Sequence, residues 1–251
     1  PPSGSQSASR AGRRAAHRRT HEEVSRPRNE IRIAEIRTHS KAGSAASSIT
    51  VDALGEYAGR EGVGGIVVAE HFRVWTDWER EGFFDRWGVR VYRAIEATTD
   101  AGHIIIIGAP PGLSPTRVSV DLLAQARKHG WFTVLAHPFR YYFADIHPGQ
   151  RPPFPEGLTP DALAESRIFE AVDAIELANG ACTDTENSLA HSVARVTGLP
   201  ATTGSDAHAH NELGRQRLLT PAIPTDEAEL ADLIRSWRAP SIPMERGFGE
   251  A

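Results

Sequence analysis

The feature that most constrains the fold is an alternation. From residue 31 onward, short apolar runs of strand length give way repeatedly to runs with helical period, a pattern that favours helices packed on a largely parallel sheet over a sandwich. "IRIAEIRTH" (31–39) and "GIVVAEH" (65–71) read as strands, and "TVDALGEYAGREG" (50–62) between them as a helix closing on glycine. "VYRAIEATT" (91–99) and "HIIIIGA" (103–109) are split by "DAG" and read either as a hairpin or as two successive strands. "VSVDLLAQARKHG" (118–130) is a helix that stops at Gly130, and "WFTVLAH" (131–137) is a buried strand. The pattern continues with a helix over 160–171, a strand over 172–180, a helix over 182–198 and strands over 199–206 and 217–224. It ends in a helix over 225–238, with Thr225, Glu227 and Glu229 near its start. About seven β-α units without internal repeats predict an α/β barrel. A chain of 251 residues can build it as one domain over 31–251.

The remaining composition narrows the function by exclusion. The longest apolar runs, "GIVVA" and "HIIIIGA", are strand-sized, so no membrane span is expected. Residues 1–30 hold seven Arg against three Glu and few large apolar residues, and read as a flexible basic arm. No apolar stretch follows Arg13-Arg14 or Arg18-Arg19, which argues against a secretory signal and for a cytoplasmic protein. With the arm's charge of +4 removed from the net −4, residues 31–251 carry −8, a poor balance for binding nucleic acid. The single cysteine, Cys182, has no internal disulfide partner and reads as a buried small residue.

The polar residues then fall into one set. His39, His71, Glu96, His103, His137, Glu176, Asp206 and His208 all lie at or just past ends of predicted strands, mostly the C-terminal ends. In a barrel those ends converge on one face, so residues remote in sequence can surround a common pocket. Imidazole and carboxylate are the ligands of Zn²⁺, Mn²⁺ and Fe, and a bridging carboxylate lets two cations activate a water between them. Each residue also has a plainer reading. Strand-end acids and histidines make ordinary caps and hydrogen bonds, and His103, which opens an apolar strand, could be a satisfied core histidine. Glu176 and Asn179 read as pocket walls or internal braces. His17, His21, His129, His147, His191 and His210 read as surface residues.

These segments resemble the PHP superfamily, named for polymerase and histidinol phosphatase. "IRTHSKAGS" is similar to its opening motif, "GIVVAEH" to its second, and "AIEATTDAGHIIIIG" to its glutamate strand and the Gly-His strand that follows. "VLAHPFR", "IELANG" and "GLPATTGSDAHAHNELG" resemble its later signatures, and the last two are the most specific. The resemblance implies a distorted (β/α)7 TIM-like barrel with up to three divalent metals at the strand ends and a phosphoesterase activity. It assigns His39, Glu96 and Asp206 to a first metal, Glu96, His103 and His137 to a second, and His71 and His208 to a third. Arg37 stands where the family's leading histidine is expected, and Ser44 or Ala45 where a further third-site ligand is expected.

A guanidinium stays protonated and repels a cation, so Arg37 either turns away or supplies a positive charge of its own, as a holder of an anionic substrate would. Glu70 either compensates at the third site or orients His71. The expected function is metal-dependent hydrolysis of a small phosphorylated metabolite or nucleotide, using Zn, Mn or Fe. Glu96 would bridge the cations, Arg140 or Arg37 would neutralise charge on phosphate oxygens, and His208 or its neighbour would protonate the leaving oxygen. The altered opening motif leaves two alternatives: hydrolysis of a non-phosphate bond, and a non-catalytic ligand-binding member. Aromatics at 72–87 suit a packing face or a lid, and those at 139–154 suit a pocket lining.

Overall fold

The computed structural model describes residues 31–34, 38–146, 151–239 and 244–245; Arg37 and residues 1–30 lie outside them, as does His147. The described strands form one sheet in the order β7-β6-β5-β4-β3-β2-β1-β8-β9. The strands are β1 (Ile31–Ala34), β2 (Val63–Glu70), β3 (Arg90–Thr99), β4 (Gly102–Ile107), β5 (Phe132–Leu135), β6 (Ala174–Asn179), β7 (Ala201–Gly204), β8 (Arg217–Thr220) and β9 (Met244–Glu245). The helices are α1 (Val51–Glu61), α2 (Asp77–Trp87), α3 (Ser119–His129), α4 (Pro160–Ala164), α5 (Ile168–Ala171), α6 (Asp184–Thr197) and α7 (Glu227–Arg235).

The fold is α/β, with a curled mixed sheet in place of a uniformly parallel barrel. β1-β2-β3 and β5-β6-β7 are parallel triplets, while β4 runs antiparallel to both β3 and β5. The segment 91–109 is therefore the hairpin of the two options, because the two residues between β3 and β4 are too few for the crossover that a parallel pair needs. The sheet curls. Thr38 bridges Val68 on one side and Ala207 on the other, and the His39 amide donates to the Ala207 carbonyl at 3.1 Å. That contact brings the segment after β7 against the segment after β1.

Local chemistry sets the element ends. α1 and α6 begin on Thr50 and Thr183, whose hydroxyls accept helix N–H groups, and end on Gly62 and Gly198 in the left-handed conformation that lacks a Cβ penalty. α7 starts on Asp226, whose carboxylate caps it, one residue after Thr225. Residues 160–171 form two short helices, not the single helix expected. Leu163 and Phe169 are both buried, and at about 100° per residue a continuous helix would point them about 120° apart. A break lets both face the core.

β4 contributes Ile104 to Ile107, each at most 1% exposed, and each such side chain removed from water is worth roughly 1.5–3 kcal/mol. The aromatics of 72–87 divide. Trp75 and Phe83 are buried and meet edge to face at 5.9 Å, as a packing face requires, while Phe72 and Trp78 point to solvent. Cys182 is half-buried, more open than expected, because it lies just ahead of the Thr183 cap of α6 and outside the helix. Among the described residues no helix is long and apolar enough to cross a membrane.

Candidate metal centre

The mixed sheet explains why the proposed ligands come from different places along their strands. His71 directly follows β2, and His137 and Asp206 lie two residues past β5 and β7. His103 lies near the start of β4, yet its antiparallel run puts that start beside the end of β3, where Thr98 is its register partner. His39 arrives through the Thr38 bridge. All seven metal candidates reach one region and fall into three groups whose ligand atoms lie within 4.8 Å of one another: His39, Glu96 and Asp206; Glu96, His103 and His137; and His39, His71 and His208. His39 thus joins the His71–His208 pair as well as the first set, a sharing that the spacing in sequence gave no reason to expect.

Glu96 is the hub. Its Oε1 lies 2.7 Å from His103 Nδ1 and 3.3 Å from His137 Nε2, and its Oε2 lies 3.0 Å from His39 Nε2. The same His39 nitrogen is 3.3 Å from Asp206 Oδ1. A single N–H cannot satisfy both carboxylates, whereas a cation shared between two acids and an imidazole can. The rings of His71 and His208 lie 4.5 and 4.3 Å from that of His39. Burial pushes the His71 imidazole below its ordinary range, outweighing the upward pull of Glu96, a direction that favours the neutral ring that ligation needs. His208 Nδ1 faces the carbonyl oxygen of Asp206 at 2.9 Å, which can only accept. In the neutral ring that bond fixes the proton on Nδ1 and the lone pair on Nε2. The donor types, their burial and their spacing all fit a divalent cation.

The backbone is constrained at the same place. Among the described residues the non-glycine positions with positive φ are His137 (25°), Tyr141 (63°) and Asp206 (56°). Such conformations persist where surrounding contacts over-determine them, and they cluster at functional sites. Glu176 supplies one such contact, accepting the His137 amide at 2.7 Å and the Asn179 side-chain amide at 3.0 Å; both residues are therefore braces. Glu212, which sequence reasoning left unassigned, accepts the amides of His208 and Ala209 at 2.8 and 3.0 Å. Ser47 donates to the His39 carbonyl at 2.7 Å. Glu212 could have been found from its place four residues past His208, but Ser47 carries no local signal.

Glu70 takes neither of the roles expected for it. Its carboxylate accepts the Ser40 amide and hydroxyl and the Trp75 indole N–H, so it pins the turn after His39 and leaves His71 alone. Burial raises its pKa, opposed by the Ser40 hydrogen bond. The approach depends on Gly43, where a Cβ would lie 2.5 Å from Glu70 Cγ. Ser44 is buried and Ala45 exposed, and it is Ala46 that lines the pocket. His210 and His129 are exposed, and His191 is half-buried.

Arg140 stands at the rim with Nη1 2.8 Å from Asp206 Oδ2 and its guanidinium 5.0 Å over the Tyr141 ring. Two cavities meet there. One of about 320 Å³ holds the cluster, and one of about 580 Å³ extends along Tyr141 and 151–153, with His103, His137 and Arg140 common to both. Of the aromatics at 139–154, Phe139, Tyr142 and Phe154 are core and Phe143 is exposed, so among the described residues Tyr141 is the one that lines the larger cavity.

Comparison with known proteins gives an independent view. Residues 184–239 match the family described as PHP-associated. No curated protein matches. A two-domain protein from Bacteroides vulgatus that contains a predicted PHP-like metal-dependent phosphoesterase is similar in structure, with a TM-score of 0.55 at 19% identity over 82% of this chain. This chain spans 63% of the length of that protein. A candidate metal-dependent phosphoesterase from Bifidobacterium adolescentis gives a TM-score of 0.54 at 14% identity, covering 84% of this chain and 99% of its own. An amidohydrolase from Chromobacterium violaceum, with bound sulfate and no metal, gives a TM-score of 0.52 at 12% identity, covering 84% and 96%. At these identities the structural likeness concerns the fold.

Proposed function

We propose, from the premise that this chain belongs to the PHP superfamily, that it is a metal-dependent hydrolase acting on a small phosphorylated metabolite or nucleotide. The observation that carries the reading is the buried Glu96 carboxylate within 3.3 Å of nitrogens from His39, His103 and His137. Glu96, His103 and His137 would hold one cation, His39, Glu96 and Asp206 a second, and His71 and His208 a third, with His39 serving the second or the third because a neutral imidazole has one lone pair. Zn, Mn and Fe all suit this donor set. Bound there, such a cation lowers the pKa of water and offsets charge on phosphoryl oxygens.

The chain's own residues complete the chemistry. Arg140, between the two cavities, binds a phosphate oxygen through its guanidinium and neutralises charge that builds during bond cleavage. With His208 Nδ1 turned to the Asp206 carbonyl, its one free lone pair is on Nε2, which would hold the third cation or, in a centre of two cations, take a proton and return it to the leaving oxygen. The larger cavity receives the organic part of the substrate. Arg37 belongs to the same proposal as a second anion contact, placed by sequence order two residues before His39.

The test is phosphate release from a panel of generic monoesters with added Mn²⁺ or Zn²⁺. Turnover should require metal and disappear in Asp206→Asn and His137→Ala. Stoichiometric metal without turnover on any phosphoester would overturn the phosphate assignment, and amide or ester hydrolysis by the same preparation would replace it. That second reading is favoured by the structural likeness to an amidohydrolase. Absence of stoichiometric metal would select a non-catalytic ligand-binding protein.

A further inference from the structure

The loop that carries His137 and Arg140 leaves β5 with His137 at φ 25° and closes at Tyr141 with φ 63°. Both ends are therefore strained, and each is held by a carboxylate accepting its backbone N–H: Glu176 at His137 and Glu186 at Tyr141. Both carboxylates come from the β6–α6 unit. Glu186 is 6% exposed and serves twice, because its other oxygen accepts the Thr183 amide at 2.8 Å within the capping box of α6. A capping glutamate ordinarily spends its carboxylate on the helix alone. Here the second oxygen reaches 45 residues back along the chain.

The contacts run on from there without a gap. The Glu186 carboxylate holds the Tyr141 amide, the Tyr141 ring lies 5.0 Å under the Arg140 guanidinium, and Arg140 Nη1 sits 2.8 Å from Asp206 Oδ2. Arginine loses several rotatable bonds when fixed, so a platform and a partner together decide where its fork points. We infer that Glu186 is a positioning residue: through Tyr141 it sets the Arg140 guanidinium at the junction of the two cavities and so governs how tightly the site holds an anion. The part concerning the anion rests on the phosphoester reading, whereas the clamp on Tyr141 does not.

Four variants separate this role from simple helix capping. Glu186→Ala removes both amide bonds, and Glu186→Gln keeps one carbonyl oxygen for two N–H groups. Thr183→Ala weakens the cap from its other side and leaves both Glu186 bonds in place. Arg140→Ala removes the group being positioned. Amide hydrogen exchange across 137–142 is read without substrate, and inorganic phosphate is the probe of anion binding. Glu186→Ala should accelerate Tyr141 exchange and weaken phosphate binding about tenfold, raising KM more than it lowers kcat. Glu186→Gln should fall between it and the parent, and remains informative if the alanine variant does not fold. Thr183→Ala should exchange and bind like the parent, and Glu186→Ala should cost nothing further in an Arg140→Ala background.

Unchanged Tyr141 exchange in the Glu186 variants would overturn the clamp. Equal losses in Thr183→Ala, or losses that multiply with Arg140→Ala, would overturn the positioning role. If the parent protein binds no phosphate while Tyr141 exchange responds as stated, the phosphoester reading fails and the clamp stands.

Discussion

Replacing Glu96 by glutamine changes one atom and one charge, and it should all but erase the stability that a divalent cation confers. Glu96 belongs to two of the three ligand groups, and its two oxygens face three imidazoles between them. A cation that binds only the folded protein stabilises it by RT ln(1 + [L]/Kd), about 2.7 kcal/mol at a hundred times the Kd. For a domain of this size that is a rise in Tm of about 5–11 °C. Losing a group that merely orients a ligand typically weakens metal binding 10–100-fold, so loss of a direct, charged ligand should reach at least the upper figure. At the same free metal concentration the variant then sits near its own Kd, gains about 0.4 kcal/mol and shifts by about 1–2 °C. Without metal the direction differs, because the substitution removes a buried charge from the company of another buried acid, Asp206. The chelated variant should therefore be less stable than the chelated parent by no more than about 1 kcal/mol. Differential scanning fluorimetry of both proteins, with chelator and along a Mn²⁺ or Zn²⁺ titration, gives all four quantities. A metal-induced shift in Glu96→Gln equal to that of the parent would refute the placement of Glu96 among the ligands. No shift in either protein at saturating metal would refute the metal centre itself.

His71 takes part only in the group with His39 and His208, so His71→Ala should cost one metal equivalent and leave the Glu96–His103–His137 set loaded; elemental analysis after desalting decides, and loss of all metal would contradict the grouping. Glu61 offers a pH test away from the site. Its carboxyl is held below the ordinary 4.5, first by the Arg60 hydrogen bond and then by Arg217, whose Nη2 is 2.9 Å away, against the opposing effect of burial. A depressed folded pKa means that this contribution is complete above 4.5 and is lost as pH falls through the lower folded value. Urea midpoints measured downward through that range should fall more steeply for the parent than for Glu61→Gln, and parallel curves would show that the pair contributes nothing.

Much of this candidate centre could be read along the chain because its residues are chemically unusual for where they stand. An imidazole or acid at the end of an apolar run is conspicuous, and seven such residues suffice to name candidate donors. The residues that hold them were harder to see. Glu186 looks like any capping-box glutamate, since its Thr183 partner is three residues away while its Tyr141 partner is 45 residues away. Glu70, the last residue of β2, adjoins His71 in sequence but points to Ser40 and Trp75.

Periodicity and punctuation are local properties, so the sequence alone determined where most strands and helices fall, which glycines close the helices and which side chains can ligate. Strand direction and loop geometry depend on partners far along the chain, and only the tertiary structure decided them. The antiparallel run of β4 carries His103 to the mouth, the Thr38 bridge brings His39 between Glu96 and Asp206, and positive φ at His137 and Asp206 aims both inward. A backbone N–H donates to any correctly placed carboxylate, so its choice of partner is settled by packing and leaves no trace in local sequence.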